Sequence, residues 1–208
     1  MNRELLYSFI TLLVIVDPLG TAVMFTGLTP NATPTRRRDM ALRGTLIATG
    51  IILIFAIGGR FVLDAMDISL AAFRIAGGLL LFLLATDMVL ALHSGIRSTT
   101  GPEQAEAERS RDVAVFPLAI PLLAGPGALT SITLLMGTAK GLGEQAWVLA
   151  ALAAAMLLTL LALLAATQVA RLLGVTGANV VTRVLGIVLA ALATQFVIDG
   201  VRESLGLG

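Results

Sequence analysis

The chain has 208 residues, 57% of them hydrophobic and 13% charged, with a formal net charge of +1. Soluble domains carry about 25% charge, so the composition specifies an integral membrane protein, and a balance this close to neutral leaves no nucleic-acid footprint. The absence of cysteine and the single histidine, His93, exclude disulfides, thiolate metal sites and a His-rich metal centre, and no cofactor is expected.

The start, Met1-Asn2-Arg3-Glu4, has no net basic bias, and no Ala-x-Ala-like site follows the apolar run. The first segment is therefore read as a retained span rather than a signal peptide. A span takes about 20 apolar residues. Six segments reach that length, roughly 5–28, 40–63, 69–92, 113–138, 145–170 and 178–201. Lipid offers no partner to an unpaired backbone group and no strand-like alternation is present, so all six are expected to be helices.

Five connections join them. Loop one is polar and basic, from Thr29 to Arg38, with Pro30 ending the first helix and Thr33 or Thr35 placed to cap the second. Loop two, Asp64 to Ser69, is short. Loop three, Ser94 to Asp112, is the longest polar segment and reads as a linker between two halves. Loops four (Gly141–Glu144) and five (Gly174–Gly177) are tight and glycine-bearing. With the N-terminus outside, nine of the 14 Lys and Arg residues fall on the inner side and five on the outer. The positive-inside bias thus predicts both termini outside.

The first span is interrupted at Asp17-Pro18-Leu19-Gly20-Thr21. A carboxylate costs roughly 2.5–3.5 kcal/mol at bilayer depth on insertion scales. Proline removes a donor, and glycine weakens the helix further. Aspartate before proline is an ordinary helix start, so Asp17 has a purely architectural reading. Ser or Asn would cap as well, however, and the charge points to a substrate ammonium group or a transported proton.

The fourth span carries Pro117, Pro121 and Pro126 near one face, with Gly125 and Gly127. Either it is a kinked helix packed through small residues, or it exposes backbone to a ligand, with Thr130 and Ser131 opening the next half-helix. In the third span Asp87 either snorkels, pairs with an arginine such as Arg97, or lines a cavity. Arg74 and Arg183 most simply snorkel to headgroups.

A shift of 108 residues lays Pro18 on Pro126, Gly78 on Gly186 and Ala85-Thr86 on Ala193-Thr194. Gln195 then replaces Asp87, and Gly125 replaces Asp17. The organisation read from this is a first three-helix repeat (1–93), a polar cytoplasmic linker (94–112) and a second three-helix repeat (113–208). Three spans per half would make the repeats inverted in topology, the plan of many secondary transporters, with helices 1 and 4 broken near the midplane. The N–H groups of such half-helices receive anions. A site with its charge in one half only is polar in one direction, as an α-amino acid is. No nucleophile–base set or phosphate-binding glycine loop occurs, so enzymatic activity is not expected.

Four stretches, in order, resemble the MarC family (UPF0056): "FITLLVIVDPLG" (Phe9–Gly20), "AFRIAGGLLLFLLATDMV" (Ala72–Val89), "FPLAIPLLAGPGALTSITLL" (Phe116–Leu135) and "TRVLGIVLAALATQFVIDGV" (Thr182–Val201). Thr21 stands where that family frequently has asparagine. The resemblance implies a six-span, multi-pass protein of the bacterial or archaeal inner membrane. It also implies ion-coupled transport of small neutral amino acids such as alanine and glycine. The expected partners are the amino acid, a coupling proton or sodium ion and the bilayer, and self-association is compatible with the sequence. Substrate contacts are expected at Asp17, Pro18, Gly20, Thr21, Gly125, Pro126, Gly127, Thr130, Ser131, Asp87 and Gln195, with one repeat rocking against the other. A non-transporting scaffold and a lipid-headgroup translocase are the alternatives.

Overall fold

The computed structural model describes residues 3–90 and 113–207. His93 and the linker 94–112, with Arg97, Arg109 and Arg111, lie outside the described residues. Every regular element among the described residues is a helix: α1 (Arg3–Val16), α2 (Pro18–Leu28), α3 (Pro34–Ala65), α4 (Leu70–Leu90), α5 (Ala114–Leu123), α6 (Pro126–Thr138), α7 (Leu142–Leu164) and α8 (Ala166–Ser204). Five stretches are long and apolar enough to cross a membrane, Arg3–Leu28 counting as one. A sixth follows if α5 and α6, bent by 55° at their junction, form one span. The order of segments is the one expected from hydropathy.

Local chemistry sets the helix ends. Thr33 caps α3 by accepting the Arg36 N–H at 3.3 Å, and Pro34 occupies the first helical position, where its missing N–H costs nothing. The fifth connection differs from expectation. α7 stops at Leu164, Ala165 forms a corner, and a short helical piece over 166–173 precedes Gly174. That glycine has φ 61°, a left-handed conformation that a Cβ would strain, and it separates the short piece from the final span. The Gly174–Gly177 motif therefore interrupts a helix instead of forming the whole loop.

α5 is also irregular. Pro117 and Pro121 remove two backbone donors, and the residues before them, Phe116 and Ile120, are extended at φ −133° and −128°. The remaining bonds widen to five-residue spacing, Leu118 N–H to Val113 O and Ala124 N–H to Ala119 O. Unwinding of the fourth span thus begins a full turn or more before the Gly125-Pro126-Gly127 motif.

Packing runs between the halves of the sequence. α1 and α2 lie against α7 and α8, while α5 and α6 lie against α3 and α4. α3 meets α7, and the most extensive contact is α4 on α8. Glycines permit that crossing. A methyl group at Gly78 would sit 2.8 Å from the Ala193 carbonyl oxygen, and one at Gly186 would sit 3.2 Å from the Ala85 carbonyl oxygen. The two contacts are reciprocal under the 108-residue shift: Gly78 corresponds to Gly186 and Ala85 to Ala193. Arg74 reinforces the pair through a 3.0 Å ion pair with Glu203, so it does not simply reach for headgroups. Large apolar side chains such as Ile54 (69% exposed) and Phe61 (76%) cover the outer face, where lipid is the solvent.

Candidate functional site

The site is assembled from the break between α1 and α2. Pro18 has no N–H to offer the preceding turn, and it disfavours helical geometry at Asp17. Asp17 adopts φ 48°, ψ 70°, a left-handed conformation that aspartate tolerates better than most residues. Its N–H still bonds the Leu13 carbonyl at 3.0 Å, so α1 is closed up to that point. Its side chain turns forward and accepts the Gly20 N–H at 3.1 Å as the cap of α2. That N–H would otherwise serve the Val16 carbonyl. The Thr21 hydroxyl takes over and donates to Val16 O at 2.9 Å. Asp17 and Thr21 together supply partners for the Gly20 N–H and the Val16 carbonyl at the break.

The carboxylate is fully buried, at 0% exposure. The Thr182 hydroxyl, on α8 of the other half, reaches its second oxygen at 3.5 Å, the outer limit of a hydrogen bond. Gly20 leaves room for this meeting. A methyl group there would lie 2.2 Å from Asp17 Oδ2 and 2.9 Å from Thr182 Oγ1. Pro18 and Thr21 are buried beside it, and Gly20 is half-buried.

The second break adjoins the first. Gly125 caps α6 in an extended conformation without a side chain to satisfy the first turn, so its N–H groups face outward from the helix end. Gly125, Pro126 and Gly127 line a cavity of about 20 Å³ with Ile15, Leu80 and Leu84, room for about one water molecule. Gly127 is held close: a methyl group there would meet Leu81 at 2.9 Å, Leu84 at 3.2 Å and Ile15 at 3.5 Å. Ile15 precedes Asp17 by two residues, so the two interruptions come together in space.

Thr130 and Ser131 are both buried. Thr130 packs its methyl on Gly77, where an added Cβ would lie at 1.9 Å. Ser131 Oγ has no hydrogen-bond partner among the described residues, and Thr11 Oγ1 and Thr45 Oγ1 share that state. Buried hydroxyls left unpaired are uncommon. The other two expected residues do not join this group. Asp87 is half-buried near the end of α4 and is not among the cavity-lining residues. Gln195 is exposed on α8 and donates to Asp199 at 2.7 Å. Thr182 was not legible as a partner of Asp17. It lies inside the last of the family-like stretches, but nothing in its spacing distinguishes it from other span threonines.

Comparison with known proteins places these features in a family. The pattern described as MarC family integral membrane protein matches residues 2–205. A UPF0056 membrane protein of Archaeoglobus fulgidus is 37% identical, the match covering 95% of this chain and 92% of that protein. A UPF0056 membrane protein of Methanocaldococcus jannaschii is 34% identical over 95% and 96%. UPF0056 membrane protein YvbG of Bacillus subtilis is 30% identical over 77% and 76%. No solved structure matches significantly. With the match running almost end to end and through both breaks, the chain belongs to the MarC family of integral membrane proteins.

Proposed function

We propose that the protein is a secondary transporter, not an enzyme, and that it moves small neutral amino acids of the alanine and glycine class across the cytoplasmic membrane, coupled to a proton or sodium gradient. The observation that carries this reading is the fully buried Asp17 carboxylate at a helix break, next to a second break that presents unfilled helix N–H groups. A buried intramembrane carboxylate is costly, and capping alone does not require its charge. Asp17 engages the substrate ammonium group or carries the coupling proton. The half-helix start at Gly127 receives the carboxylate, since α6 has no side-chain cap whereas the Gly20 N–H is already taken by Asp17. A polarity of this kind suits a zwitterion, which enters only when the helices part, because the described room beside Gly127 is about that of one water molecule.

The finer architecture in this proposal is an inverted repeat with helices 1 and 4 broken near the midplane, and both termini outside. The reciprocal Gly78–Ala193 and Gly186–Ala85 contacts support it, since matched contacts of this kind are what a two-fold relation produces. Because the halves interlock, the bodies that exchange are not the sequence repeats themselves. They are two mixed arms, α1–α2–α7 and α3–α5–α6, on either side of the α4–α8 pair.

Uptake of labelled alanine or glycine into proteoliposomes under an imposed proton or sodium gradient tests the reading. Gradient-dependent uptake by the parent protein, lost in Asp17→Asn, is the expected result. Absence of flux for every neutral amino acid removes the substrate class, and undiminished flux in Asp17→Asn removes Asp17 from the mechanism.

A further inference from the structure

We propose that Arg37 is a latch that holds one face of the protein closed, the face bearing loop one. The inference rests on the transport reading only for its purpose; the latch itself is a matter of contacts. Arg37 lies in the first turns of α3 and is half-buried. Its guanidinium donates from Nε to Thr29 Oγ1 at 3.0 Å, from Nη2 to the Thr29 carbonyl at 2.6 Å, and from Nη1 to Thr167 Oγ1 at 2.7 Å. Thr29 ends α2 and is 3% exposed, its hydroxyl donating onward to Phe25 O at 2.7 Å. Thr167 opens α8, just past the corner that follows α7. One side chain on the second arm therefore grips the end of the first arm at two points and the head of α8 at a third.

The chemistry suits a bond that must open. The three acceptors are neutral oxygens, so the grip is charge-assisted without being an ion pair. Its loss leaves no buried carboxylate behind. The planar fork also fixes geometry in a way a lysine cannot.

The opposite face carries a lighter tie: Arg60, near the end of α3, donates from Nη1 to the Gly137 carbonyl at 3.2 Å and pairs with Asp64 on its own helix. Under the 108-residue shift Arg37 corresponds to Gln145 in the first turn of α7, Thr29 to Gly137, and Thr167 to Gly59. The two acceptor hydroxyls have become glycines, and a glutamine with no charge stands in place of the guanidinium. The described conformation is thus held by three hydrogen bonds from the half-buried Arg37 on the loop-one face and by one from the exposed Arg60 on its counterpart, where loop four lies. In alternating access it is the state closed toward loop one, and opening to that side requires Arg37 to release Thr29 and Thr167.

The chain has no cysteine, so a single Ala22→Cys reports on one place. Ala22 is fully buried on α2, between the break and the loop-one end. With the purified protein in nanodiscs, its labelling rate by a membrane-impermeant maleimide is expected to be low. It should rise roughly tenfold when Arg37→Ala is added, since hydrogen bonds to a charged group are lost together. Arg37→Lys should give an intermediate rate and Thr167→Val a smaller increase. Unchanged labelling in Arg37→Ala, with the folded protein eluting as one species, overturns the latch. Should that variant not fold, unchanged labelling in Thr167→Val does so instead. The assay needs no substrate. Increased labelling in a protein that moves no amino acid leaves the latch standing and removes the transport reading, whereas alanine flux with unaltered labelling does the reverse.

Discussion

The Thr182 hydroxyl meets the Asp17 carboxylate at 3.5 Å across 165 residues of sequence. It joins the break of the first span to the last span, and it places a polar group from each half on the same point. Gly20 makes the meeting possible, since any side chain there would occupy the space between them. Thr182→Val keeps the shape and removes the hydroxyl. A bond at the outer limit of length is worth little in stability, so the unfolding midpoint should move by less than about 1 kcal/mol equivalent. The KM for alanine uptake should nevertheless rise, and Thr182→Ser should restore it. A large loss of stability in Thr182→Val would assign the residue to packing instead.

Asp17 has two roles that substitution can separate. Asn tolerates the left-handed conformation and caps a helix as well as Asp does. Asp17→Asn should therefore fold with a melting temperature close to the parent while abolishing gradient-driven flux. Asp17→Ala loses the cap, at about 1 kcal/mol, and suffers roughly 1–2 kcal/mol of left-handed strain. Thermal unfolding in detergent of the two variants side by side distinguishes cap from charge.

Thr21 replaces a donor that the break removes. In Thr21→Val the buried Val16 carbonyl loses its 2.9 Å partner, which should cost about 1–3 kcal/mol. Thr21→Ser should recover most of it. If Val proves as stable as Ser in denaturant titration, the carbonyl is satisfied in another way.

Gly77 and Thr130 test the fit of α4 on α6. A methyl at position 77 would overlap the Thr130 methyl, at 1.9 Å, so Gly77→Ala should destabilise by about 1–3 kcal/mol. Thr130→Ser removes that methyl and should relieve much of the penalty in the double variant, an interaction energy that a double-mutant cycle measures directly. Gly58→Ala, which meets nothing within 4 Å, serves as the neutral comparison. Additivity of the Gly77 and Thr130 effects would contradict the described contact.

The interlocked packing bears on how the chain folds. Residues 1–93 and 113–208 bury their helices chiefly against each other, so neither fragment should accumulate when expressed separately. Co-expression should yield a stable complex that survives purification through a tag on one fragment. A fragment that is stable and monodisperse by itself would show that it is a self-sufficient bundle.

Much of this was legible beforehand. The order of the apolar helices followed from hydropathy, with five long enough to cross and a sixth if α5 and α6 form one span, and the interruption at Asp17-Pro18 followed from backbone chemistry that acts within one turn. The second interruption was less complete in the sequence. Proline spacing indicated a kink at Gly125–Gly127, but the extended residues Phe116 and Ile120 and the five-residue hydrogen bonds of α5 depend on how two prolines share one short helix. Gln195 was grouped with the site because it matches Asp87 in the repeat, yet it turns to Asp199 on the exposed side of α8. Register within a repeat does not reveal which face of a long, uniformly apolar helix points inward.

What the sequence by itself determined is the membrane class, the six apolar segments, the family, and a charged break in the first span. Each depends on composition or on bonds within a few residues, where local chemistry suffices. The tertiary structure alone decided that the breaks touch through Ile15 and Gly127, that Thr182 faces Asp17, that the halves interlock, and that Arg37 bridges Thr29 and Thr167. These relations depend on where helices cross. In lipid that crossing is set by the fit of small residues against backbone, as at Gly78 and Gly186, and not by hydropathy, which is nearly the same on every face.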